Sequence, residues 1–155
     1  MSKKRTLVIS IAIPLLVGGI AALLTSNEMG QFNAVNKPPL SPPGWLFPIV
    51  WTILYILMGI ASFAVYTSKK DAETKDTALL VYGIQLFFNF WWSIIFFNAR
   101  WYLVAAVWLF ILWLLIILNV ILFGRISKYA RNLLIPYLVW VTFALYLNIG
   151  IWILN

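Results

Sequence analysis

The sequence predicts an all-α membrane protein: a five-transmembrane-helix bundle with its N-terminus in the cytoplasm and its C-terminus outside. Three observations predict this. The composition suits lipid as solvent, five apolar runs have the length of a bilayer crossing, and basic residues gather on alternate connections. The 155 residues are 64% hydrophobic and 10% charged, against about 25% charged in a typical soluble domain. A soluble fold of this size has no interior large enough to hide that much apolar surface.

The runs are Leu7–Thr25, Leu46–Tyr66, Ala78–Ala99, Trp101–Phe123 and Leu133–Leu154, each 19 to 23 residues long. About 20 residues at roughly 1.5 Å rise cross about 30 Å of hydrocarbon. None alternates with a period of two, which disfavours a β-barrel. The first run follows Lys3, Lys4 and Arg5, as a signal peptide would. Its apolar stretch exceeds the usual signal core of about 7–15 residues and no small-residue cleavage site follows, so it reads as a retained helix. Residues 1–155 then form a single integral membrane domain.

Charge sets the orientation. The net charge is +7, and all charged residues lie outside the runs or at their ends. Lys3, Lys4, Arg5, Lys69, Lys70, Lys75, Arg125, Lys128 and Arg131 fall on one side, Lys37 and Arg100 on the other. Nine against two is a positive-inside bias. These cations flank membrane and do not form a nucleic-acid surface. With no transit peptide in front of it, the basic start points to a bacterial cytoplasmic membrane, crossed several times.

The connections differ. Arg100 marks a turn so tight that the third and fourth spans must be antiparallel neighbours. The outer loop 26–44 is long and carries Pro38, Pro39, Pro42 and Pro43. Loops of this length are uncommon unless functional or disordered, and the prolines favour a stiff, extended path. It reads either as a roof over the bundle or as a plain connector.

Much chemistry is excluded. Histidine and cysteine are absent, which removes the usual metal ligands, the common general base and disulfides. No metal site or cofactor is expected. The runs hold no Asp, Glu, Lys or Arg, and proton-coupled transport ordinarily uses such a group within the membrane.

Aromatic and amide side chains remain. Aromatic residues make up 17% of the chain, nine of them Trp. Trp45, Trp101 and Trp152 fall near span ends, as interfacial anchors do. Trp51 and Tyr55 lie four apart and share a helix face. Gln85, Asn89 and Ser93 form a polar stripe on the third span with Trp92 beside it. Trp140, Ala144 and Asn148 repeat that spacing on the fifth, with Tyr137 one turn earlier. At 1.5 Å per residue, Trp51 sits about 8 Å below its outer end, and Asn89, Trp92, Ala144 and Asn148 about 9–15 Å below theirs. One layer of the outer half can hold them all, with Trp140 deeper. Gly18, Gly19 and Ala22 allow close approach of the first span. The stripes have two readings: interhelical hydrogen bonds of about 1 kcal/mol or less each, or a cavity with a few polar groups among aromatic walls.

Three separated motifs resemble one known family. They are Lys37-Pro38 with Pro42-Pro43-Gly44-Trp45 and Val50-Trp51-Thr52-Ile53-Leu54-Tyr55; Gln85, Asn89 and Trp92 with Phe96-Phe97-Asn98-Ala99-Arg100; and Pro136-Tyr137-Leu138 with Trp140, Phe143 and Leu147-Asn148. In that order, and over nearly the whole chain, the sequence resembles the tryptophan-rich sensory protein/translocator protein family, also called peripheral-type benzodiazepine receptors. The resemblance implies a five-helix bundle, commonly a homodimer. It also implies a pocket under the first outer loop for porphyrins such as protoporphyrin IX and for benzodiazepine- and isoquinoline-carboxamide-type ligands. Carried over, Phe32, Pro42, Trp51, Tyr55, Asn89, Trp92, Trp140, Ala144 and Leu147 would line it.

Two departures bear on this. The Tyr and Arg of the cholesterol-recognition pattern in animal members are missing after Leu147-Asn148, which argues against sterol transport. A proline pair that follows the third-span Trp in animal members is Ser93-Ile94 here, which predicts a straighter helix. The expected function is a membrane receptor or sensor binding a porphyrin or similar flat apolar molecule. The alternatives are a light- and oxygen-dependent porphyrin-degrading enzyme, with Trp51 and Trp140 catalytic, or a tetrapyrrole transporter.

Overall fold

A computed structural model describes residues 2–155, and among them there is helix and no strand. The helices are α1 (Lys3–Thr25), a short α2 (Met29–Ala34), α3 (Leu46–Tyr66), α4 (Ala72–Ser93), α5 (Tyr102–Gly124) and α6 (Lys128–Leu154). Five helical segments are long and apolar enough to cross a membrane.

Helices α4 and α6 begin several residues before their apolar runs because polar side chains cap them. Asp71 accepts from the Thr74 backbone N–H at 2.9 Å, and Ser127 from that of Ala130 at 3.2 Å. Each satisfies a donor that the first turn would leave orphaned. That hydrogen bond, with a second from the Thr74 hydroxyl, holds the exposed Asp71 carboxyl below its usual range. Ser2 caps α1 in the same way. All three caps lie at the basic end of the bundle. The helices that start at the opposite end, α3 and α5, have no side-chain cap. There Trp45 and Trp101 stand exposed just before the first turns, where indole rings suit the headgroup region.

Around the bundle α1 packs on α3, α3 on α6, α6 on α5 and α5 on α4, and α4 closes on α1 through a thinner seam. The turn at Arg100, whose φ is 55°, brings α4 and α5 together as expected. Helices α1 and α3 approach closely at Gly59. Pro14 lacks an N–H, so the Ser10 carbonyl one turn earlier loses its helix donor. That carbonyl lies against Gly59, where a Cβ would come within 2.8 Å of it and 2.5 Å of Ile11 Cα. Only glycine fits there. At the basic end the core is solid: Met58, Ala61, Val65, Ala78, Phe123, Ala130 and Leu134 are fully buried.

Two local expectations fail. The 26–44 segment is not extended throughout, because Ser26–Glu28 form a 3₁₀ turn and Met29–Ala34 form α2. Its first proline is Pro38, and nothing in Ser26–Ala34 prevents helix from continuing out of α1. Only the remainder is extended. Nor does α4 run on as a regular α-helix where Ser93-Ile94 stand in place of the prolines. Its backbone widens into a π-helix over Ile94–Ala99 and stops at the left-handed Arg100.

The extended part of the segment is fastened down on α6. Pro38 is buried against Gly150, where any Cβ would collide with its ring. Asn155 bridges the Asn36 backbone, donating to its carbonyl at 2.8 Å and accepting from its N–H at 3.2 Å. The Tyr146 hydroxyl donates to the Pro39 carbonyl at 2.8 Å. The other side of the segment meets the π-helix through an Arg100–Glu28 ion pair of 2.7 Å. Asn98 adds a hydrogen bond to the Leu24 carbonyl at 3.0 Å.

Candidate ligand cavity

Beneath this roof lies a cavity of about 290 Å³ between α1, α3, the end of α4 and α6. Its wall follows from residue size. Ala21 and Ala22 of α1 and Ala144 of α6 leave room that larger side chains would fill, Gly18 makes space for the Tyr55 ring, and aromatic rings face the cavity. Trp51 stacks on Tyr55 with centroids 5.6 Å apart and planes at 28°, and Trp92 on Phe96 at 5.3 Å and 30°. Phe32 hangs from α2 and meets Phe47 and Phe97 edge-on at 5.5 and 5.6 Å. Such offset or edge-to-face pairs contribute about 0.5–1.5 kcal/mol each beyond burial. Lys37 lies 5.0 Å above the Phe32 ring, over the roof.

Most polar groups of the wall already have partners. Asn148 accepts from the Trp92 indole N–H at 3.0 Å and donates to the Tyr102 carbonyl at 2.9 Å. The Thr25 hydroxyl donates to the Ala21 carbonyl at 2.9 Å and that of Ser26 to the Leu23 carbonyl at 2.9 Å. The Tyr55 hydroxyl donates to Asn89 Oδ1 at 2.7 Å. From there a buried chain crosses the bundle: Asn89 Nδ2 donates to Tyr137 Oη at 2.9 Å, and Tyr137 donates to Gln85 Oε1 at 2.6 Å. This layer joins α3, α4 and α6 and underlies the cavity. Hydrophobic surface with few unmet hydrogen bonds suits a flat, apolar molecule.

Of the nine residues expected to line a pocket, Phe32, Trp51, Tyr55, Trp92, Ala144 and Leu147 stand on this wall. Three are elsewhere. Asn89 is buried, with its amide consumed by the two tyrosines, so for the Gln85–Asn89 stripe the interhelical reading applies. Pro42 belongs to the extended part of the roof and does not reach the wall. Trp140 turns toward a lipid-facing groove between α3 and α6, beside Val50, Ile53 and Val139. Its indole N–H is buried with no acceptor in the protein, and Phe47, 5.8 Å away, separates it from the cavity. Trp140 and Ala144 are four apart, but a helical side chain leans toward the helix N-terminus, so the long Trp140 side chain covers surface farther from the roof than its own Cα. Sequence reasoning passed over Phe47, Met29 and Phe97 as wall residues. Phe97 enters through the π-helix, whose register a 3.6-residue period does not predict.

Comparison with known proteins agrees with the fold and the motifs. Residues 10–153 match the TspO/MBR family. A tryptophan-rich protein TspO of Chlorobaculum tepidum is 39% identical, over 97% of this chain and 96% of its own length. Another, from Archaeoglobus fulgidus, is 37% identical over 96% of each chain. The translocator protein of Bos taurus is 31% identical over 90% of this chain and 84% of its own. The chain is a multi-pass membrane protein that belongs to the TspO/MBR family.

Proposed function

We propose that this protein is a membrane receptor that binds a flat, largely apolar ligand in the cavity beneath the 26–44 roof. The class is a porphyrin such as protoporphyrin IX, with benzodiazepine- and isoquinoline-carboxamide-type molecules as synthetic counterparts. The observation that carries the reading is the pair of aromatic stacks, Trp51–Tyr55 and Trp92–Phe96, on one nearly all-carbon wall. The volume of about 290 Å³ stands at the lower edge of the roughly 300–1,000 Å³ typical of ligand pockets. A tetrapyrrole therefore needs added room, and the thin α1–α4 seam is where the bundle yields most easily. The basic end faces the cytoplasm of a bacterial cell, the roof faces outward, and two copies pair as a homodimer; crosslinking in lipid reads the pairing.

Porphyrin degradation would place Trp51 and Trp140 together at the ligand. Only Trp51 lines the cavity, which favours binding without breakdown. Transport is disfavoured by the hydrogen-bonded layer under the cavity and the solid core below it.

Titrating protoporphyrin IX into purified protein and following tryptophan quenching tests the proposal. Saturable binding is expected. Trp51→Ala removes stacked surface and should weaken it about tenfold or more, since a buried aromatic contact is worth about 0.5–1.5 kcal/mol beyond its area. Trp140→Phe should leave affinity within about twofold. Unchanged affinity in Trp51→Ala would overturn the assignment. Light-driven loss of the porphyrin Soret band that both tryptophans are needed for would favour the enzyme.

A further inference from the structure

The cavity wall contains a hydroxyl that the fold does not use. In a helix, Ser and Thr normally turn their hydroxyl back onto a carbonyl three or four residues earlier. Thr25, Thr52, Thr67, Thr77 and Thr142 all do so, and Ser26 and Ser62 reach the carbonyl three residues back. Ser93 lines the cavity, is half-buried, and makes no such bond. Ser10 is the other helical serine without one, and it stands away from the cavity. Ser93 is the last residue of α4 before the backbone widens into the π-helix. Single π turns commonly occur at functional sites, where they re-aim side chains.

The other hydrogen-bond donors of the wall narrow the choice. The Tyr55, Thr25 and Ser26 hydroxyls, the Trp92 indole and the Asn148 amide all donate within the protein. Trp51 and Ser93 keep a donor free, on α3 and α4 respectively. The indole belongs to the stacking surface already assigned. The serine hydroxyl is small, rotates freely about its Cβ–O bond, and sits among Trp92, Phe96 and Phe97, where little else is polar. A ligand acceptor placed there gains a hydrogen bond in largely apolar surroundings without breaking one in the protein.

We propose that Ser93 is a specificity-determining residue: its hydroxyl donates to a carbonyl or carboxylate oxygen on the ligand edge facing α4. The site would then select flat apolar molecules that carry an acceptor on that edge over ones that do not. This rests on the ligand-binding role of the cavity proposed above, and the test separates the two.

The probes are a 1-phenylisoquinoline-3-carboxamide and its thioamide, which keeps the shape but replaces the carbonyl oxygen by a poorer acceptor. They are titrated into wild type, Ser93→Ala and Ser93→Thr in lipid nanodiscs. Wild type is expected to prefer the carboxamide. Ser93→Ala should weaken the carboxamide about three- to tenfold, as the loss of one hydrogen bond does, and change the thioamide less than twofold. Ser93→Thr, which keeps the hydroxyl, should restore the preference. Equal weakening of both probes in Ser93→Ala, or an undiminished preference for the carboxamide, would overturn the role of Ser93 while leaving the cavity a binding site. Failure of both probes to bind wild type saturably would overturn the binding reading itself, and this inference with it.

Discussion

The two ends of the bundle solve different problems with the same kind of helix. At the basic end, helix starts are capped by Ser2, Asp71 and Ser127, and the core is filled by side chains with no exposure at all. At the roofed end, caps are missing, small residues take the place of large ones, and polar side chains tie the 26–44 segment down on α6 and the π-helix. Dense packing at one end holds the helices in place, so the other end can keep an unfilled space. The Tyr55–Asn89–Tyr137–Gln85 chain is the boundary between them. The contrast teaches that the cavity is not a packing defect: it stands on a closed hydrogen-bonded floor and under a fastened roof.

The largest expected effect comes from separating α1, the span that lines the cavity as fully as α3 and α6 do but contributes least to the core. Only 11% of its most apolar window is buried, against 33–39% in the other spans. Its hold on the bundle depends on Gly59, where a side chain would strike the Ile11 and Ser10 backbone. Backbone cannot rotate aside as a side chain can, so Gly59→Val should force α1 off α3. Overpacking of this kind costs about 1–3 kcal/mol and often more against backbone. The expected result is loss of porphyrin binding by more than tenfold with helix content largely kept, read by quenching titration and circular dichroism. Unimpaired binding would show that α1 is not a necessary wall.

The boundary layer comes next. Tyr137→Phe removes the hydroxyl that accepts from Asn89 and donates to Gln85, and leaves both buried amides short of a partner. Leaving a buried group unsatisfied costs about 1–3 kcal/mol, and single interhelical hydrogen bonds in membranes average about 0.6 kcal/mol. A loss of about 1–2 kcal/mol in unfolding free energy is expected, with Tyr55, its ring still stacked on Trp51, holding the ligand. If binding fell further than stability, the layer would be part of the site and not just its floor.

The fold was legible almost entirely, because apolar runs of bilayer length are a one-dimensional signal. Six of the nine expected pocket residues also reach the wall, since spacing along one helix fixes which side chains share a face. What could not be read was rotation between helices. Asn89 and Trp92 are three apart on α4, yet one points into the hydrogen-bonded layer and the other into the cavity. Trp140 is carried past the wall by the length of its own side chain. The prolines of 26–44 were informative only where they stand: they set the path of Pro38–Pro43 and left Ser26–Ala34 free to continue as helix. The π-helix after Ser93 had no signature in composition, because it is a change of register and not of residue type.

The smallest predicted effect probes the solid end, where the comparison is most exposed. Asn119 on α5 is 1% exposed and neither atom of its amide has a hydrogen-bond partner in the protein. Every buried amide of the boundary layer is satisfied, so this one is the exception, and it lies in the half built for packing. Its neighbours on the same face, Leu112, Ile116 and Phe123, are fully buried hydrocarbon. Desolvating an amide without return costs free energy, whereas replacing it by an apolar side chain of similar size is nearly neutral or favourable. Asn119→Leu should therefore raise thermal stability slightly, by up to about 1 kcal/mol, and leave ligand affinity unchanged. A fall in stability would mean that the amide is satisfied in the membrane by an internal water, which a buried polar group of this kind can hold. The basic end would then not be a dry packed core. The division of the bundle into one half that packs and one half that binds would have to be redrawn around a second polar site.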